Sequence, residues 1–234
     1  MNRMEQAARN SGWVFVGRGA ERLIRIVVVV VLARILGVRG FGVYSFVFAF
    51  AEVFAIFTDV GLQTVLVREI ARDRESAPRL LGSALVLKTV MAASCWIAAC
   101  LIAIWLIPAG ESLWSVLVAS LLLFVSFRVT SLRTMLDAPF EAGWRMAVPI
   151  RMGVLTELAS AVCLIAAALA RWPLPALSGV QLGVFLPGGL WLGLHFFREA
   201  RPVIRFDPRH WLELLRMAIP IGAANIFLIA YTRS

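Results

Sequence analysis

Apolar residues run along this chain in seven long blocks, and polar or turn-forming residues separate them. An α-helix rises about 1.5 Å per residue, so about 20 mostly apolar residues cross a hydrocarbon layer about 30 Å thick. The blocks fall at about 13–36, 41–66, 80–107, 113–136, 146–170, 176–197 and 214–234. Between them lie Gly37 and Gly40, Pro78, Pro108 with Gly110, Pro139 with Gly143, Pro173 with Pro175, and Pro202 with Pro208. Glycine and proline at such points end helices and begin turns. The pattern predicts an all-α, multi-spanning transmembrane helix bundle. The last block stops three residues after Tyr231 with no loop behind it, so the sequence is expected to be a fragment or a truncated gene product.

Composition strengthens this reading. The 234 residues are 61% hydrophobic and 16% charged, against about 45–50% and about 25% in soluble domains. A soluble fold of this length has too small an interior for so much apolar side chain. The net charge of +9 does not point to nucleic acid, because the basic residues cluster between apolar blocks and do not line one polar face. Lipid is the expected partner. Arg68, Arg72, Arg74, Arg79, Arg128, Arg133, Arg145 and the run from Arg198 to Arg216 fall in even-numbered loops, whereas odd-numbered loops hold only Arg34, Arg39 and Arg171. The positive-inside rule then places the N-terminus in the cytoplasm. The flanking charges and the lack of a cleavage pattern make the first block a retained span, not a signal peptide.

The charges inside the blocks carry the candidate chemistry. Arg18, Glu21, Arg22 and Arg25 are spaced 3, 1 and 3 apart, which puts them within roughly a 100° stripe of one helix. Glu52 and Asp59, seven apart, share a face of the second block. If the first two spans are antiparallel neighbours, Asp59 lies at the depth of Arg18 to Arg22 and Glu52 at that of Arg25. Glu157 in the fifth block and Lys88 in the third are further candidates for the same interior. Intramembrane charge marks a functional site by default, yet Arg18, Arg22 and above all Lys88 lie near enough to the inner interface to snorkel, and paired charges can serve packing alone. If the stripe is functional, three arginines facing water suit an anion, and above all a phosphate. The acids would then tune that field or carry a coupling ion.

Other features fit the same frame. Pro187-Gly188-Gly189 predicts a bend in the sixth span, and Trp105, Trp114, Trp172 and Trp191 fall where interfacial belts are expected. Cys95, Cys100 and Cys163 lack metal or disulfide spacing and are expected to be buried as small apolar residues. No catalytic set, metal motif or cofactor motif is legible, and His195, Asp207 and His210 are expected at a surface.

The strings Ala33-Arg34-Ile35-Leu36-Gly37, Phe41-Gly42-Val43-Tyr44-Ser45, Asp59-Val60-Gly61-Leu62 and Val67-Arg68-Glu69-Ile70-Ala71 resemble the polysaccharide biosynthesis proteins. These are the O-antigen type flippases of the multidrug, oligosaccharidyl-lipid and polysaccharide exporter superfamily. Pro139 to Met146 and Met217 to Gly222 look like the family's loop before span five and its opening of span seven. The resemblance implies a first six-helix lobe over 1–200, then a cytoplasmic loop and the start of a second lobe over 201–234. It further implies a bacterial cytoplasmic-membrane transporter, not an enzyme, that flips an undecaprenyl-diphosphate-linked oligosaccharide to the outer leaflet. Arg18, Arg22 and Arg25 would engage the substrate. Glu21, Glu52, Asp59 and Glu157 would couple ions or pair charge. A second lobe or a second copy would be needed to close the cavity. A drug or cation antiporter of the same superfamily would lean on acids rather than arginines, and a polyprenyl-phosphate transferase would need acidic metal-binding motifs that are only scattered here.

Overall fold

The computed structural model describes residues 3–73, 75–125, 132–142, 147–204 and 208–233. The side chains of 3–11, 13, 59, 132–134, 142, 199, 208–210 and 225–233 lie outside that description. Every regular element among the described residues is helical: α1 (Arg3–Asp59), α2 (Leu62–Arg72), α3 (Ala77–Leu106), α4 (Glu111–Ser120), α5 (Leu122–Val125), a 3-10 turn (Leu132–Asp137), α6 (Ala138–Ala142), α7 (Ala147–Leu169), α8 (Leu174–Ala200) and α9 (Pro208–Arg233). Val14–Thr58, Ala77–Leu106, Ala147–Leu169 and Leu174–Arg198 are long and apolar enough to cross a membrane. The transmembrane bundle expected from the sequence is the fold observed.

The first two predicted spans are one element in the backbone, broken at Gly37, where φ is 66° and ψ is 179°. Only glycine takes that conformation without strain. Arg25 and Glu52 line one pocket, although a straight helix would hold residues 27 apart about 40 Å from each other. The chain therefore folds back at Gly37, and the two limbs of α1 run side by side.

Several boundaries differ from expectation. The second span ends at Asp59, because Val60 and Gly61 take positive φ angles of 42° and 82°. Past this break α2 turns Leu62, Val65, Leu66 and Ile70 inward and leaves Thr64, Arg68 and Arg72 exposed, as an amphipathic helix lying on a core does. The predicted fourth span is interrupted at Leu121, between α4 and α5. The last helix starts at Pro208 instead of 214. α8 runs on through Pro187, and a Cβ on Gly189 would sit 3.1 Å from Val125 Cγ1. One of the glycines expected to mark a bend thus serves close packing.

Two ends of the bundle are packed differently. At the α2 end, Leu62, Leu66, Leu81, Met135, Leu192, Phe196, Leu214 and Ala218 belong to one core. Backbones touch there: a Cβ on Gly61 would lie 2.7 Å from the Gly222 nitrogen, and one on Gly82 would strike the Val203 carbonyl, whose residue also donates its N–H to Pro78 O at 2.8 Å. Lys88 is buried in this region with 0% exposure. It does not snorkel, because its side chain is fully enclosed by protein. At the Gly37 end, Val28, Leu32, Tyr44, Ala161, Leu164 and Leu177 form a separate core.

The tryptophans expected in belts are exposed, as are many aliphatic side chains of the spans, which is how a lipid-facing surface reads. The cysteines depart from expectation: Cys95 and Cys100 are half-buried and Cys163 is exposed, which an apolar solvent tolerates.

Candidate functional site

A pocket of about 250 Å³ opens between the two limbs of α1 and is closed by α5 and α8. Phe41, Tyr44 and Phe48 line it, at spacings that stack them along one side of the second limb. Their rings form a ladder, with centroids 6.2 Å apart for Phe41 and Tyr44 and 4.6 Å for Tyr44 and Phe48. Gln181 and Phe185 of α8 and Leu122 and Leu123 of α5 complete the wall, and Arg25 and Glu52 contribute the ionised groups among the described lining residues.

Arg25 sits midway along the apolar part of the first limb, which runs from Val14 to the Gly37 break. Its Nε lies 3.6 Å from Glu157 Oε1, and the two side chains are 40% and 2% exposed. Glu157 therefore stands behind Arg25, inside the bundle, on an α7 face that also buries Thr156 and Ser160. An acid so deeply buried needs a counter-charge, and Arg25 provides one while its outer part reaches the pocket. The sequence placed both residues in the interior without pairing them. Their contact arises from the docking of α7 on the first limb, where a Cβ on Gly17 would collide with Ile150.

The other predicted site residues separate. Arg18 and Arg22 are exposed and do not line the pocket. By helical rise they lie about 10 and 5 Å from Arg25 toward the α2 end. Glu21 is half-buried. Glu52 shares the pocket with Arg25, and the side chain of Asp59 lies outside the described residues. Among the described residues no group of His, Cys, Asp or Glu could hold a metal ion.

Sequence reasoning missed the pair Gln181 and Tyr44. Gln181 Nε2 donates to Tyr44 Oη at 3.4 Å, both residues are buried, and Gln181 Oε1 has no hydrogen-bond partner. A lone glutamine in a glycine-rich apolar block was the signal available. Away from the pocket, exposed His195 stacks on Trp191 at 5.3 Å and on Phe140 at 5.9 Å.

Bundle and pocket together define an all-helical membrane protein with an internal pocket. The backbone superposes on a multidrug resistance MATE family transporter of the MOP superfamily in its outward-facing conformation, with a TM-score of 0.69 and 16% identity over 94% of this chain and 52% of that one. It also superposes on a MOP superfamily transporter from Pyrococcus furiosus, for which a reverse polarity of the binding pocket suggests a different function; the TM-score is 0.64 and the identity 14%, over 93% and 51% of the two chains. The chain thus spans about half the length of the solved transporters it matches. No curated protein shows a significant match. Residues 7–234 match the polysaccharide biosynthesis protein family, and the chain belongs to it.

Proposed function

We propose that this chain forms the first lobe of a flippase that moves a polyprenyl-diphosphate-linked oligosaccharide from the cytoplasmic to the outer leaflet of a bacterial inner membrane. Its N-terminus is cytoplasmic, residues 1–200 make the lobe, and residues 201–234 lead into a second lobe or meet a second copy. The observation that carries the reading is the exposure of Arg18 and Arg22 within the apolar helix Val14–Thr58. Two permanent cations on a span are tolerated where the surface faces water and not lipid. Guanidinium groups there match a diphosphate in charge and geometry. Arg25 is the lesser contributor, because Glu157 already shares its charge. Family membership and the transporter fold support transport in place of catalysis.

The test is export of the lipid-linked saccharide by cells carrying the complete protein. Arg18→Gln with Arg22→Gln lowers export at least tenfold while membrane abundance stays normal. Unchanged export in that double variant overturns the assignment. The aromatic and aliphatic lining of the pocket favours a second reading, a drug or cation antiporter. Under that reading Glu52→Gln, and not the arginine pair, abolishes transport.

A further inference from the structure

We infer that the pocket between the limbs of α1 is a subsite for one neutral, hydroxyl-bearing sugar ring, and that Gln181 and Tyr44 set which sugar it accepts. The inference rests on the flippase reading and divides the substrate in two, with the diphosphate at Arg18 and Arg22 and a ring in the pocket.

Three observations carry it. The first is the amide of Gln181, which has 0% exposure, lines the pocket and leaves Oε1 without a partner. A buried polar atom left unpaired costs about 1–3 kcal/mol, and the side chain that carries it belongs to the pocket wall. Whichever way the amide is turned, one end meets Tyr44 and the other remains for a ligand. The second is the aromatic ladder Phe41, Tyr44 and Phe48 beside it. Ring faces carry partial negative charge, so they attract the polarised C–H faces of a pyranose while the amide and carboxylate take its hydroxyl edge.

The third is charge and size. Among the described lining residues Arg25 is matched by Glu52, and Glu157 draws on Arg25 from behind, so the pocket offers an added anion no unshared cation. Its volume of about 250 Å³ lies below the roughly 300–1,000 Å³ of drug-sized pockets, which suits one ring and not several. Tyr44 is seven residues from Gly37 and Arg22 is fifteen, which separates them along the bundle by about 12 Å. That distance is of the order of one ring joined to a diphosphate.

The experiment uses the full-length protein in lipid nanodiscs with two kinds of probe: a panel of neutral and uronic methyl glycosides, and a polyprenyl diphosphate bearing no sugar. A neutral glycoside is expected to raise the thermal midpoint of the wild type. Gln181→Leu and the milder Tyr44→Phe each weaken that response about tenfold, and both bind the sugar-free lipid as the wild type does. Three results overturn the inference: no neutral glycoside binds although the sugar-free lipid does, a uronic glycoside binds best, or both variants keep the wild-type response. Failure of the sugar-free lipid to bind the wild type, with glycoside binding intact, counts instead against the diphosphate assignment of Arg18 and Arg22.

Discussion

The two ends of this bundle solve opposite problems with the same material. At the α2 end helices meet backbone to backbone, with Gly61 against Gly222 and Gly82 against the Val203 carbonyl, and even Lys88 is enclosed. At the Gly37 end and toward the middle, the two limbs of α1 stand apart around a pocket lined by aromatic rings, Arg25 and Glu52. Lipid offers no hydrophobic drive for helices to associate, so close approach of small residues must do that work. The bundle concentrates that approach at one end and keeps a pocket toward the other.

Three substitutions test the contrast, beginning with the largest effect. Gly61→Val places a branched side chain at φ 82°, where its Cβ would meet Gly222 and Ala218 at 2.7 and 2.8 Å. The combined backbone and packing penalty is about 3 kcal/mol. In a detergent melting series of the full-length protein this variant loses its folded transition or shifts it sharply down. A wild-type melt means that the α2 end is not the anchor described. Glu157→Gln removes the charge behind Arg25. Breaking a fully buried pair costs about 3–5 kcal/mol, but Arg25 is 40% exposed and solvent screens it, so the expected loss is about 1–2 kcal/mol. Arg25→Gln combined with Glu157→Gln should recover part of it, and a double variant no more stable than Glu157→Gln alone shows that the pair is not coupled.

The smallest effect lies outside the membrane. The Glu75 N–H donates to Asp73 Oδ1 at 3.0 Å, and that bond, with help from the Ser76 hydroxyl, holds the Asp73 carboxyl below its usual range. A depressed folded pKa stabilises the turn at pH values above the ordinary carboxylate pKa. The contribution fades as pH falls through the lower folded value. Asp73→Asn should therefore melt slightly lower than wild type at neutral pH and level with it in strong acid. A constant gap across that range refutes the role given to the carboxylate.

The sequence by itself determined the solvent, the helical class and the family. Long apolar blocks leave no other way to satisfy the backbone in lipid, and the strings around Gly37 and Gly61 are local. It also placed Arg25 and Glu52 at one depth, because helical rise is fixed once two spans are antiparallel. Only the tertiary structure paired Arg25 with Glu157, enclosed Lys88 and set Gln181 against Tyr44. Each of those contacts joins helices far apart in sequence, and which faces meet depends on small-residue packing that no one-dimensional period records. Lys88 shows the reason most directly: counted along its own apolar block it lies only about two turns from the start, and the packed structure encloses it completely.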